Sequence, residues 1–328
     1  MHWARRALPV VMLSMCCASP TSTFAQAPAS YPTKSVRFIV PYPPAGTTDI
    51  VARAIAAKLT ERWAQQVVVD NRGGASTIIG AEAAAKAAPD GYTLLLVTAT
   101  TLSINPQVYP KLPYDAARDF APITPVVYFP YVIAAHPALP AGTIKELIAL
   151  AKAKPGTVTY ATPGTASTNH VAGALLETMA GIKLLHVPYK GVGPAMTDVV
   201  AGQVQLIITG LATVLPHAKS GRAKILAVCG EKRLSNWPEI PTVAEAGLPG
   251  YEGGTWFGIV TRAGSPRAVI ERLNRDIVAV LATPDMKERF TNLGFEVYTS
   301  TPEEFARFIK DDMARTGKVV RAAGIKVE

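Results

Sequence analysis

Cysteine is almost absent from this chain. Of its 3 cysteines, Cys16 and Cys17 fall in an N-terminal segment expected to be removed, which leaves Cys229 alone. A single thiol closes no internal disulfide, so nothing in the fold leans on oxidation. Charge is sparse as well, at 17% of residues, and its balance is basic: +9 overall, or +7 once Arg5 and Arg6 are gone. No run of Lys and Arg exceeds two residues, and aromatics do not interleave with them. That distribution speaks against a nucleic-acid partner and for a solvated basic surface with a mild pull on anions. Long apolar runs are missing too. After the first 25 residues none approaches the roughly 18 that a membrane span needs, so the chain is not expected to cross a bilayer. Catalytic signatures are lacking: no GxSxG, HExxH or CxxC, and no phosphate loop ending in GK followed by Ser or Thr. The histidines at 136, 170, 186 and 217 are not paired at metal-ligand spacing. No catalytic residue, metal site or cofactor is therefore expected.

What is present begins with an export pattern. Arg5 and Arg6 precede the apolar run Ala7 to Ala18, and small residues lead to "TFAQ", predicting a signal peptide over 1–25 cleaved after Ala25. Twelve apolar residues are too few to span a bilayer. A lipid on Cys16 is disfavoured by the bulky Met15 just before it. The remaining chain is long enough, with 49% hydrophobic residues in 328, for a substantial core and more than one lobe.

Short apolar runs alternate with helical patterns along the whole chain. Strands are predicted at "SVRFIVPY", "VVVDN", "YTLLLVTAT", "YVIAAHP", "VTYAT", "LLHVPY", "VQLIITG", "AKILAVCG" and "WFGIVTRA". Helices are predicted over 49–63, 77–87, 143–154, 169–180, 193–201, 214–220, 266–282, 284–293 and 302–322. The alternation predicts an α/β fold with a mostly parallel sheet, and so many strands fit two sheets better than one.

In such folds ligands lie beyond the carboxyl ends of the strands. After "VRFIV" comes "PYPPAGTTDIVAR", Pro41 to Arg53. Pro43 and Pro44 stiffen this loop, Gly46 frees it, and Thr47 or Thr48 can cap the helix that follows. The loop aims a helix N-terminus, with unpaired N–H groups and about half a positive charge, at whatever sits above the sheet. A second loop, "TPGTASTNH" at 162–170, repeats the chemistry with Thr162, Gly164, Thr165, Ser167 and Thr168 ahead of a helix. Ser, Thr and Gly before one helix are ordinary capping. Two such loops about 120 residues apart point to convergence across a cleft.

A third stretch, "HVPYKGVGPAMTDVVAGQVQLIITG", breaks the dinucleotide pattern, because Met196 stands where the third glycine belongs. In it Tyr189 can wall an organic ligand, and Lys190 either faces an anion or points into water. His170, one turn into its helix, either donates to an anion or serves the helix.

These residues resemble the Bug family, the extracytoplasmic solute receptors of tripartite tricarboxylate transporters. The likeness is carried by "YPTKSVRFIVPYPPAGTTDIVAR", "APDGYTLLLVT", "INPQVYPKLPYDAARDFAPIT", "HVPYKGVGPAMTDVVAGQV", "EIPTVAEAGLPGYE" and "STPEEFARFIKDD", in matching order from about Tyr31 onward. The resemblance implies a type II periplasmic-binding-protein fold: two α/β lobes with a ligand cleft between them. It places lobe 1 at 31–130 and 255–328, and lobe 2 at 131–254. It also implies that a carboxylate is gripped between the first loop (Tyr42, Pro43, Ala45, Gly46, Thr47, Thr48 and Asp49) and the Thr162–His170 loop, largely by backbone N–H groups and hydroxyls. Thr100, Thr101 and Ser103, then Tyr189, Lys190, Thr209 and Gly210, would complete the wall. Asp49 also suits a helix start, where the dipole favours an acid.

Two departures stand out. Ala45 and Thr47 replace glycines of the family's usual "PxPPGGGTD", and "NRGGASTIIGAEA" differs from "NRPGAGGNIGAEA" at Gly73, Ser76, Thr77 and Ile78. The expectation is a periplasmic, monomeric, non-enzymatic receptor that closes on a small organic carboxylate, whether a di- or tricarboxylate, an amino acid or an aromatic acid. It would hand that acid to the membrane subunits of a tripartite tricarboxylate-type transporter. A sensor presenting its ligand to a membrane kinase, and a hydrolase or lyase on the same scaffold, remain the alternatives.

Overall fold

The computed structural model describes residues 31–322, so the export segment expected at 1–25 lies outside the described residues. The first strand shows why these sequences become buried parallel strands. In β1 (Val36–Val40), Phe38 and Val40 pack into a core that includes Ile55 and Leu59 of α1 (Thr47–Trp63), while Ile39 faces a second cluster. Both faces are covered, so the strand reads as the continuous apolar run "VRFIV". On α1 the apolar positions recur at helical spacing. Val51, Ile55 and Leu59 are fully buried, each contributing about 1.5–3 kcal/mol relative to exposure.

The chain continues through β2 (Val67–Asn71), α2 (Ile78–Ala85) and β3 (Thr93–Thr98). A π-helical turn at Thr100–Ile104 and the short α3 (Asn105–Val108) lead to β4 (Phe120–Ala135). Next come α4 (Ile144–Ala153), β5 (Thr159–Thr162), α5 (Thr168–Ala180), β6 (Leu185–Pro188), α6 (Val192–Val200), β7 (Leu206–Gly210), α7 (Leu211–Lys219) and β8 (Lys224–Val228). The chain then returns through β9 (Gly254–Arg262), α8 (Arg267–Leu281), α9 (Pro284–Asn292), β10 (Glu296–Val297) and α10 (Pro302–Ala322).

The strand order is β2-β1-β3-β9-β4-β7-β5-β6, with β8 and β10 also pairing with β4. Two sequence expectations change here. The sheet is mixed: β1 pairs in parallel with β2 and β3, and β5 with β6 and β7, but every pairing of β4 and β9 is antiparallel. The two expected sheets are also joined, because β4 belongs to both. Its 16 residues span about 50 Å. Phe120 to Pro130 pair with β9, whereas Tyr131 to Ala135 pair with β7.

The first half of β4 was not expected from sequence. Pro122, Pro125 and Pro130 punctuate it, and proline cannot donate to a ladder. Here the register slips between Pro122 and Thr124 and again between Pro125 and Val127, so bulges absorb the missing donors. At the crossover Tyr131 N donates to Gly253 O, Gly253 N to Cys229 O, and Cys229 N to Tyr131 O. The lone thiol is therefore buried at this junction, and burial pushes its pKa up to about 12, so it stays protonated.

Candidate functional site

Four helices begin at one small cavity. Its wall includes the N-cap and first turn of α1 (Gly46, Thr47, Thr48), the start of α5 (Thr168, Asn169), the first residue of α6 (Val192) and the N-cap of α7 (Gly210). Phe129 and Tyr131 of β4, Thr255 and Phe257 of β9, together with Tyr42, Pro163 and Thr209, close the rest. About 30 Å³ is open to the centre of a water molecule, so the site is tight. No lining side chain carries a charge. Each helix start adds a partial positive charge, and the uncapped first turn of α1 adds free N–H groups, which together favour an anion without a fixed cation.

Local sequence builds each wall. At α1 the N-cap is Gly46, in extended conformation (φ −88°, ψ 172°), and no side chain caps the helix. The cap expected from Thr47 or Thr48 is not formed. Thr47 Oγ1 is instead 2.9 Å from Thr213 Oγ1 on α7, which ties the two helix starts together. At α5 Ser167 Oγ accepts from His170 N at 3.2 Å, and Thr168 N donates to Thr100 Oγ1 at 3.2 Å. Tyr131 OH hydrogen-bonds Thr168 Oγ1 and lies 3.3 Å from Asn169 Oδ1, while Asn169 Nδ2 donates to Ile208 O. Burial pushes the hydroxyl of Tyr131 far above the phenol range, and that of Tyr42 upward against a partial pull from Thr98 and Thr100, so both stay neutral. Thr209 Oγ1 is buried at this wall without a hydrogen-bond partner. Gly210 is required by close approach: a Cβ there would stand 2.9 Å from Phe129 and 3.0 Å from Thr47.

The observation that decides the family comes from comparison. The model of the "Tripartite tricarboxylate transporter family receptor" (TctC) matches residues 51–325. The chain belongs to this family. Protein BugT of Bordetella pertussis is 36% identical over 300 residues, covering 91% of this chain and 92% of that protein. Among solved structures, R. palustris Rpa4515 with adipate superposes with a TM-score of 0.88 at 35% identity, over 90% of this chain and 99% of the other. MatC from Rhodopseudomonas palustris with bound malate gives 0.82 at 28%, over 88% and 100%. The fold is that of a type II periplasmic binding protein, and the protein is a solute-binding receptor of the TctC type, not an enzyme.

In this receptor the residues singled out from sequence divide into three groups. Tyr42, Gly46, Thr47, Thr48, Thr168, Thr209 and Gly210 line the cavity, and Thr100 touches it through Thr168. Gly164, Thr165, Tyr189 and Lys190 line an adjoining groove of about 550 Å³ that shares Tyr42 and Pro163 with the cavity. The rest support the walls. Pro43 wedges against Gly73 and Gly191. Ala45, at φ +66°, gives its N–H to Asp49 Oδ2. Asp49 also accepts from Arg53 and Asn71; burial raises its pKa, but these donors outweigh burial and hold the carboxylate ionised. The carbonyl of Thr101 accepts from Tyr114 OH, and Ser103 donates to Asp312 Oδ2 at 2.6 Å. Thr162 Oγ1 meets His186 Nε2 at 2.7 Å. His170 Nδ1 accepts from Ala166 N, and its ring stacks on His186 at 3.9 Å. Burial pushes both histidines below the usual range, and His170 adds to the effect on His186, which falls to about 3.

Phe129, Tyr131, Pro163, Asn169, Val192, Thr255 and Phe257 line the cavity but were not singled out from sequence. Some of them carried a signal: Phe129 and Tyr131, like Thr255 and Phe257, are two apart on a strand and so share a face. Among the described residues, no group of three His, Cys, Asp or Glu side chains is placed to hold a metal, and no helix is long and apolar enough to cross a membrane.

Proposed function

We propose that this receptor captures a small organic carboxylate in the cavity and delivers it, as a periplasmic monomer, to the membrane subunits of a tripartite tricarboxylate-type transporter. The observation that carries the reading is the convergence of four helix N-termini on an uncharged pocket whose wall holds the unpartnered hydroxyl of Thr209. A buried hydroxyl without a partner is unfavourable on its own, and an anionic guest supplies the acceptor. The ligands of the two R. palustris structures, adipate and malate, support a carboxylate as the class.

Lobe boundaries at 130/131 and 254/255 are supported by β4, whose pairing passes from β9 to β7 between Pro130 and Tyr131, opposite Gly254. The tight cavity is then the closed state. Binding selects that state because only there do the starts of α1 and α5 reach the same guest.

Thermal melting with a panel of mono-, di- and tricarboxylates, amino acids and aromatic acids tests the reading. A true ligand at about 100 times its Kd adds roughly 2.7 kcal/mol of stability. Thr209→Val keeps the shape and removes the hydroxyl. It should weaken that acid about 10-fold or more while leaving the ligand-free protein no less stable. A panel without any shift, or a variant of unchanged affinity, counts against the proposal.

A further inference from the structure

The loop between β2 and α2 holds three consecutive non-glycine residues in the left-handed region: Ala75 at φ +45°, Ser76 at +48° and Thr77 at +78°. Glycine adopts such angles freely, whereas L side chains are strained there. Strain of this kind persists where the surroundings hold it, and it points to a use. Here Asn105, itself fully buried, fixes the loop from beneath, donating from Nδ2 to Ser76 O at 2.7 Å and to Thr77 Oγ1 at 3.2 Å. The position so enforced puts Ser76 Oγ 2.7 Å from the carbonyl of Thr165, to which it donates. Thr165 belongs to the loop that starts α5, so the bond joins two segments 89 residues apart.

We infer that the Ser76–Thr165 hydrogen bond is a bar across the mouth of the cavity, and that Ser76 thereby limits the length of the acid the receptor can enclose. The inference rests on the carboxylate reading above. The cavity and the outer groove meet at Tyr42 and Pro163; Ser76 and Thr165 line the groove and not the cavity. A guest that reaches past Tyr42 and Pro163 therefore enters the space the bar occupies. Gly164 keeps that space narrow. Its φ is +156°, and a Cβ there would stand 2.8 Å from Ser76 Oγ, so the bar can close only over a glycine. A short acid leaves the bar shut. A longer one has to displace it, which removes the hydrogen bond and strips the Thr165 carbonyl of its partner.

The test is calorimetric titration of the full mature chain with unbranched dicarboxylates: malonate, succinate, glutarate, adipate and suberate. The wild type should favour the shorter acids. Ser76→Ala should lower the ratio of short-acid to long-acid affinity by about 3–10-fold, the loss expected for one neutral hydrogen bond. Ser76→Gly should move the ratio the same way while melting at or above the wild-type temperature, since glycine relieves the strained backbone. Damage to the loop in general would instead lower every affinity alike and lower the melting temperature. An unchanged ratio in both variants overturns the inference while the carboxylate reading stands. Failure of the wild type to bind any carboxylate overturns both.

Discussion

The loops that enter α1 and α5 are nearly the same in composition, Pro and Gly followed by Thr or Ser, yet they treat their backbone donors in opposite ways. At α1 the N-cap is a glycine and no side chain closes the first turn, so the amides there are open to a guest. At α5 Ser167 covers His170 N, and Thr100 covers Thr168 N. One helix start receives; the other is already satisfied and acts as a fixed wall. What separates them is where two hydroxyls fall, Ser167 at the N-cap and Thr100 beside it, not the abundance of hydroxyls nearby.

The comparison can be broken most directly by giving α1 the cap it lacks. Gly46 has an ordinary φ of −88°, and a Cβ there would lie 3.6 Å from Val192, so Gly46→Ser fits without strain. The new hydroxyl would compete with the guest for the same amides. Ligand-free stability should rise by a few tenths of a kcal/mol, and carboxylate affinity should fall about 10- to 150-fold, as for the loss of a charge-assisted hydrogen bond. Melting curves and calorimetric titration read both. Undiminished affinity would mean that the open amides of α1 are not the receiving group.

Much of this was legible in the sequence, and what was not has a physical reason. The cavity loops after β1 and β5 were found because Gly, Pro and Thr act locally, within a few residues of the turn they shape. The walls contributed by β4 and β9 were hidden because strand pairing is not local: Phe129 faces Thr255 across 126 positions. Three prolines also stand in that half of β4, where bulges make a strand possible. Ser103 illustrates the same limit. It reads as one more hydroxyl after a strand, but Asp312 on α10 claims it and draws it away from the cleft. Composition identified donors; only the fold assigned their acceptors.

The α5 side adds an acid sensitivity seated on imidazoles, where α1 has the carboxylate of Asp49. His170 must keep Nδ1 unprotonated to accept from Ala166 N, and His186 is packed between His170 and Tyr160, with Thr162 Oγ1 at its Nε2. Burial first, and then mutual repulsion, holds His186 at about 3 in the folded protein against an unfolded value of 6.5. Below about pH 6.5 the unfolded chain takes up this proton and the folded chain does not. Stability is therefore full above that pH and declines by up to about 1.4 kcal/mol per unit as pH falls toward 3. His186→Gln should flatten the decline in denaturant titrations between pH 6 and 4. An equally steep decline in the variant would place the sensitivity elsewhere.

The smallest effect sharpens the contrast most. Ser167→Ala uncaps α5, exposing His170 N, and should cost about 1 kcal/mol of stability, roughly a 2 °C fall in Tm. Because the α5 amide at His170 is internally paired, carboxylate affinity should stay within about 3-fold of wild type. The two substitutions then have opposite signatures: a cap added at α1 strengthens the fold and weakens binding, while a cap removed at α5 weakens the fold and spares binding. If Ser167→Ala instead lowered affinity as far as Gly46→Ser, the two helix starts would be equivalent clamps, and the division between a receiving loop and a wall would fail.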